Sequence, residues 1–315
     1  MKIFRHVLVN VPASTSNMGP GFDVLGMAFQ LFNTVEVSVS PSAKFSLRMS
    51  VDGEGKNTVP SNAQNVIWKT MKMVLNRLKF PVSSYAFDIR CINRIPLARG
   101  LGSSAAASLS GILAANALCG NLLDQQEILR LAVNAEGHPD NVVPQLVGGL
   151  CVSCLDKKQI KFLKLNSPKN LSVVVCVPEF ELSTKKARAA LPSKVSMQDA
   201  VFNVSRVALL LASLMQGKYE FLRLGTEDRL HQNYRKKLVP GFDAVMRLGY
   251  DAGALGVTLS GAGPTMLALV KSDKAQRVSR AMERGFASAG KKSQSRILKL
   301  DRQGARVKVK GKGKG

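Results

Sequence analysis

Apolar and polar residues alternate with a period of two at Val7 to Val11, at Thr34 to Val39 and in Phe87-Asp-Ile-Arg-Cys-Ile92, as they do in half-buried strands. The chain therefore opens with sheet. Between these strands, Val66, Ile67, Thr70, Met73 and Val74 recur at near-helical spacing, which predicts a helix over Asn65 to Leu78 packed on that sheet. Ala105 to Cys119 is rich in alanine and leucine and stops before Gly120, as a helix with a glycine just past its end does. Asp124-Gln-Gln-Glu127 has capping-box spacing ahead of Ile128, Leu129, Leu131, Ala132 and Val133, so another helix follows.

Leu171 to Val177, ended by Pro178, reads as a buried strand. With Leu150 to Leu165 it suggests a sheet crossing into a second domain, with the boundary near residues 155–168. Beyond it the pattern predicts helices over Asp199 to Met215 and Gly241 to Leu248, strands over Gly256 to Leu259 and Thr265 to Val270, and a helix over Lys274 to Gly285. Strands mixed with helices, without a strict βαβα repeat, place both halves in the α+β class. The expected division is 1–160, 161–300 and a basic, flexible tail at 301–315.

The 315 residues suffice for two domains, and 45% hydrophobic with 21% charged residues excludes general disorder. Apolar runs such as Val207 to Met215 fall short of the ~18 residues of a membrane span. The first residues read as a strand rather than a secretory signal, so the expected product is cytoplasmic, without membrane association. Five cysteines lack framework spacing, and Cys151-x-x-Cys154 has no second pair to complete a metal site. Charge changes the picture more. The balance is +24 at pH 7, and residues 291–315 hold ten Lys/Arg against Asp301 alone. The final Lys308-Val-Lys-Gly-Lys-Gly-Lys-Gly315 reads as a solvated end, with a polyanion-binding arm, through which nucleic acid is a possible partner, as the rival reading.

The richest chemistry lies in Pro96-Leu-Ala-Arg-Gly-Leu-Gly-Ser-Ser-Ala-Ala-Ala107. Gly100 and Gly102 let backbone approach a ligand, and the helix that follows offers unpaired N–H groups to an anion. Phosphate is the obvious anion. Ser103 and Ser104 add hydroxyls, for the anion or for a magnesium ion bridging phosphates. The spacing matches neither the P-loop nor the dinucleotide fingerprint. Taken alone, the segment fits a tight turn into a closely packed helix equally well.

Pro96 to Ala106 resembles the ATP-binding signature of the GHMP small-molecule kinases. Two further segments resemble the homoserine kinase branch of that superfamily: Val11-Pro-Ala-Ser-Thr-Ser-Asn-Met-Gly-Pro-Gly-Phe-Asp-Val-Leu-Gly26 and Glu136-Gly-His-Pro-Asp-Asn-Val-Val-Pro144. Leu182 to Pro192, His231-Gln-Asn-Tyr-Arg235 and Leu259 to Thr265 match in the same order, and the resemblance runs from about Val7 to Val307. Ser16 and Met18 stand where the family more often has alanine and leucine, and the lysine-glycine tail is outside its pattern.

The resemblance implies a ribosomal-protein-like N-terminal domain and a ferredoxin-like C-terminal domain with substrates between them, ATP and Mg2+ as cofactors, and a homodimer. It implies an ATP site at Asn65, Pro96, Arg99, Gly100, Leu101, Gly102, Ser103, Ser104, Ala105 and Ala106, with Glu136 joining Ser103 or Ser104 on the metal. Homoserine carries an ammonium, a carboxylate and a hydroxyl. Asp23, with Asn17 beside it, is the candidate for the ammonium, and Arg188 and Arg235 for the carboxylate, because a guanidinium matches that group in bidentate geometry. Thr184, His138 and Asn141 complete the implied pocket. Asn141, Asp140 and Arg188 are the candidate catalytic residues: an amide at Asn141 orients the hydroxyl without taking its proton, while Asp140 is the available base. A mevalonate-type acceptor, or nucleic-acid binding on an inactive kinase scaffold, are the alternative functions.

Overall fold

A computed structural model describes residues 4–157, 159–166 and 168–312. The alternation at the start continues well past the predicted strands. β1 (Phe4–Asn17) and β2 (Gly21–Pro41) form one long antiparallel hairpin whose register shifts at Pro12/Ala13 and Ser16/Asn17. Such irregularities bend a strand and break its pairing, and β2 accordingly serves two neighbours on the edge away from β1. Leu25–Met27 pair with β5 (Leu150–Asp156), and Thr34–Pro41 pair with β4 (Tyr85–Asn93). β3 (Ser46–Gly53) adds in parallel to β4, β6 (Gln159–Leu165) closes on β5, and β11 (Arg306–Lys312) lies on the outer edge of β1, giving seven strands.

Val7, Val9, Val35, Val37 and Ile89 of this sheet meet Leu109, Ile112 and Leu113 of α2 (Ser103–Leu118) in one buried core. α2 is apolar on all sides because α1 (Val66–Arg77), α3 (Gln125–Glu136) and α4 (Pro139–Val147) surround it against β1 and β2. Its small residues permit this. A Cβ on Gly111 would stand 2.2 Å from Thr70 Oγ1 and 2.3 Å from the Ile67 carbonyl, so only glycine lets α1 come this close. The capping box of Asp124 and Glu127 at the head of α3 is formed as its spacing predicts.

The second sheet is β7 (Leu171–Pro178), β8 (Gly256–Leu259), β9 (Met266–Lys271) and β10 (Ser293–Leu298), antiparallel in the order β10-β7-β9-β8. Between β7 and β8 run α5 (Thr184–Ala189), α6 (Met197–Gln216), α7 (Leu222–Gly225), α8 (Gln232–Arg235) and α9 (Phe242–Asp251), and α10 (Ala275–Ala287) precedes β10. This is the split βαββαβ arrangement of ferredoxin-like domains. Leu150 to Leu165 do not cross into it: β5 and β6 stay in the first sheet, and the second begins at Leu171.

The end of the chain also departs from the sequence reading. Residues 306–312 are a strand, not a solvated tail, and 313–315 lie outside the described residues. Val307, Val309 and the lysines alternate as an edge strand does, with lysine on an exposed edge discouraging further pairing. Arg306 also reaches the buried Asp301 carboxylate. Removing residues 306–315 should therefore cost ~2–4 kcal/mol through lost strand bonds and a buried carboxylate left short of a partner. In a thermal melt the Tm should drop by roughly 4–10 °C, whereas loss of a free tail would leave it in place.

Candidate active site

The glycine loop ends in α2, whose N-cap, Gly102, is left-handed (φ +71°) and offers no side chain to cap the helix. The first-turn N–H groups of Ser103, Ser104 and Ala105 are thus left for an anion, favoured also by the helix dipole. Leu101, Ala105 and Ala106 are buried and anchor the loop in the core. Pro96, equally buried, precedes it. Arg99 does not turn to the cleft for its bonds. Its guanidinium donates to the carbonyls of Leu97, Pro178 and Glu179, stapling the loop to the second lobe. Gly100 lies against the turn Ser260–Thr265, and Ser260 Oγ donates to its carbonyl at 2.6 Å.

This loop forms one wall of a cleft between the lobes, also lined by Asn17, Asp23, Glu136, His138, Asp140, Asn141, Thr184, Arg188 and Arg235. It holds about 100 Å³ accessible to the centre of a water molecule, several times the ~10–15 Å³ that one water needs. Asp23 has φ +58° near the start of β2, just past the turn from β1, and its N–H donates to Asn17 Oδ1 at 2.9 Å. Asn17 Nδ2 donates to the Gly261 carbonyl at 2.8 Å, tying this turn to the second lobe. Arg188, from α5, pairs with Asp23 at 2.7 Å. Arg235 is 2% exposed and donates to the carbonyls of Ala187 and Gly261 and to His231 Nδ1. Burial, with Arg188 adding repulsion, pushes the Arg235 guanidinium down to about 10, which leaves it charged at neutral pH. One anion and two cations thus converge beside the helix N-terminus.

Asn141 Oδ1 accepts from Ser14 Oγ at 2.8 Å and its Nδ2 donates to Ser16 Oγ at 3.1 Å, so the amide orientation is fixed. Gln145 Nε2 bridges Ser14 Oγ and the Gly102 carbonyl, joining this amide to the glycine loop. Asp140, 1% exposed, bonds His138 Nδ1. That bond holds the His138 imidazole above its ordinary range against the opposing effect of burial. A raised folded-state value stabilises the fold fully below the unfolded value of about 6.5, and the gain fades as pH rises through the folded value. Urea midpoints should therefore decline above about pH 6.5, and the decline should flatten in His138→Gln.

Ser104 and Ser108 hydroxyls both donate to Glu136 Oε1, at 3.1 and 2.7 Å. Glu136 and Ser104 therefore offer hard oxygen donors next to the phosphate loop, a set that suits magnesium. Ser103 does not join them, since its hydroxyl turns toward the Ile95 carbonyl at 3.4 Å. Asp23, His138 and Asp140 also lie within 4.8 Å of one another by their ligand atoms, but Asp23 is paired with Arg188 and Asp140 is hydrogen-bonded to His138. Asn65 is not brought to the cleft: it caps α1 through the Ile67 N–H and donates to the Pro60 carbonyl. Cys151 is buried, its thiol pushed up to about 12 by desolvation, while Cys154 is exposed. These thiols make no pair.

Sequence reasoning missed the supports of the site. Ser14 and Ser16 lie inside the first of the matching motifs, yet their bonds to Asn141 depend on how β1 crosses α4. Phe22 stacks on His231 at 5.2 Å, with the guanidinium carbons of Arg188 and Arg235 at 5.4 and 5.2 Å from its centroid. Gln145 carried no sequence signal at all.

Residues 65–149 match the family model for the GHMP kinases N terminal domain, and residues 207–288 match that for GHMP kinases C terminal. A homoserine kinase of Carboxydothermus hydrogenoformans is 43% identical over 98% of this chain and 99% of its own length. One from Moorella thermoacetica is 42% identical over 95% and 99%. The crystal structure of homoserine kinase from Cytophaga hutchinsonii superposes with a TM-score of 0.86 at 31% identity, covering 96% of this chain and 97% of that one. With a glycine loop at a helix N-terminus, an Asp23–Arg188–Arg235 cluster facing it and relatives similar from end to end, the chain belongs to the homoserine kinase family of the GHMP kinases.

Proposed function

We propose that this cleft transfers the γ-phosphoryl group of ATP to the side-chain hydroxyl of L-homoserine, giving O-phospho-L-homoserine for threonine synthesis in the cytoplasm. The observation that carries this reading is the placement of Asp23, Arg188 and Arg235 in one cleft with the open N-terminus of α2. Asp23 takes the ammonium, and the two guanidinium groups take the carboxylate. Asp23 and Arg188 pair with each other, so a bound zwitterion exchanges one ion pair for two. A mevalonate-type acceptor has no ammonium to offer Asp23. The loop from Gly100 to Ala105 cradles the phosphates, and Mg2+, when bound at Glu136 and Ser104, neutralises phosphate charge.

Phosphoryl transfer asks mainly for positioning and electrostatic stabilisation. Asn141, held by Ser14 and Ser16, orients the acceptor hydroxyl, and the phosphoryl group takes the proton late in a loose transition state. Asn141→Leu should then lower kcat by ~10²–10³-fold with homoserine and ATP KM values within a few-fold, while Asp140→Asn keeps turnover within ~10-fold. Abolished turnover in Asp140→Asn at preserved substrate affinity would make Asp140 the base. The function itself is tested by ADP release with homoserine, serine, threonine and mevalonate, with and without magnesium: the reading requires magnesium-dependent turnover with a preference for homoserine. It includes a homodimer, which sedimentation velocity at micromolar concentration checks.

A further inference from the structure

Phosphoryl transfer as proposed makes no use of the buried imidazole beside the acceptor site. His231, at the head of α8, is 0% exposed and lies between the two halves of the acceptor site. Its Nε2 is 2.8 Å from the Gly19 carbonyl, which accepts and never donates. The proton is therefore assigned to Nε2. Nδ1 then presents a lone pair to Arg235, whose guanidinium nitrogen is 3.2 Å away and donates. Both bonds require the neutral imidazole. Burial, with Arg235 opposing a second positive charge, holds the His231 imidazole below its ordinary range despite Asp228 nearby.

Each bond leads to one half of the acceptor site. Gly19 (φ +83°) belongs to the turn between Asn17, which ends β1, and Asp23, near the start of β2, and a Cβ there would stand 2.4 Å from the Thr226 carbonyl. The turn is thus pressed against the segment leading to α8. Arg235 is the buried arm of the carboxylate clamp. The imidazole also stacks on Phe22 (interplanar angle 25°), the ring beside both arginines. Behind it, the Asp228 carboxylate accepts from the N–H groups of Leu230, His231 and Gln232 and from Asn203 Nδ2. Asn203 Nδ2 also reaches the Pro20 carbonyl at 3.3 Å. The histidine has no freedom to follow one half away from the other.

We propose that His231 is a positioning residue that fixes the spacing between the ammonium-binding turn and the carboxylate-binding Arg235. An α-amino acid carries its ammonium and carboxylate on one carbon, so the distance between their receptors decides which acceptors fit. The inference rests on the amino-acid reading of the cleft, and wild-type activity separates the two: no homoserine-dependent ADP release in the wild type sinks that reading before any variant is made.

The test is steady-state kinetics of His231→Phe, which keeps a ring against Phe22 and removes both bonds, beside His231→Asn, which restores a carbonyl acceptor toward Arg235. In His231→Phe the homoserine KM should rise ~10–100-fold, as expected when buried partners lose their bonds, with kcat and ATP KM within about 3-fold. His231→Asn should recover part of the loss. A homoserine KM unchanged in His231→Phe, an equal loss in kcat and both KM values, or no advantage of His231→Asn over His231→Phe would each overturn the proposal. If His231→Phe does not fold, His231→Asn carries the same KM-against-kcat test, with a homoserine KM ~3–10-fold above wild type supporting the proposal and a wild-type KM overturning it.

Discussion

Arg235→Leu should lower kcat/KM for homoserine by ~30- to several-thousand-fold, with most of the change in the homoserine KM and little in the ATP KM. Truncating one partner of a buried, hydrogen-bonded charge pair typically costs about 2–5 kcal/mol, and each 1.36 kcal/mol is tenfold in rate. Arg235 meets the conditions for the upper part of that range. It is 2% exposed, so water does not replace it. Leucine would strand the carbonyls of Ala187 and Gly261 and His231 Nδ1 as well as the substrate carboxylate. Lysine at the same position should recover a part, since it restores charge without the fork. Arg188 is different, with 38% of its side chain exposed and Asp23 as partner, so screening makes Arg188→Leu the milder variant. Near-normal kinetics in both leucine variants would refute the carboxylate clamp.

Gly100→Ala should reduce kcat/KM for both substrates at least ~100-fold. Its φ of +76° is in the left-handed region, which costs an L-residue roughly 1–2 kcal/mol. The collision is worse than the strain. An added Cβ would sit 2.1 Å from the Ser260 carbonyl oxygen and 3.0 Å from that of Gly263, backbone atoms that no rotamer change moves aside. Either the phosphate loop or the Ser260–Thr265 turn must yield, and both line the cleft. Gly217→Ala provides the control. It shares the left-handed backbone (φ +70°) at the end of α6 with nothing within 4 Å, so it should lower stability slightly and leave turnover intact. Equal activity in the two variants would show that the loop tolerates displacement.

Local periodicity made most of the framework legible. Helices over α1, α2, α3 and α6 were visible because each is long, or capped, or ended by glycine, and those signals are short-range; α9 and α10 run on through Gly249 and Gly285, where the pattern ends them. α4 was not visible, since it holds two prolines: Pro139 stands in the first turn, where a proline loses no intrahelical bond, but Pro144 lies inside the helix. β11 was misread because lysine alternating with valine and glycine looks solvated until β1 is known to need an edge partner. The motifs pointed to Asp23, Arg188 and Arg235, and the structure places these three side chains in one cleft. What holds them was not legible. Ser14 bonds Asn141 and Gln145, and Asn203 and His231 reach the carbonyls of Pro20 and Gly19, between residues far apart in the chain, and no local pattern encodes such pairings. Asn65 and Ser103 show the converse: residues that the resemblance put at the nucleotide, whose side chains are taken up by a helix cap and by the core.

The most direct measurement is a crystal structure of the chain with L-homoserine and a non-hydrolysable ATP analogue. The predicted result has the amino acid's ammonium on Asp23, its carboxylate shared by Arg188 and Arg235, and the phosphates on the N–H groups of residues 102–105 with the γ-phosphate facing the acceptor hydroxyl. Phosphates bound away from the head of α2, or an amino acid whose charged groups miss these three side chains, would contradict the account.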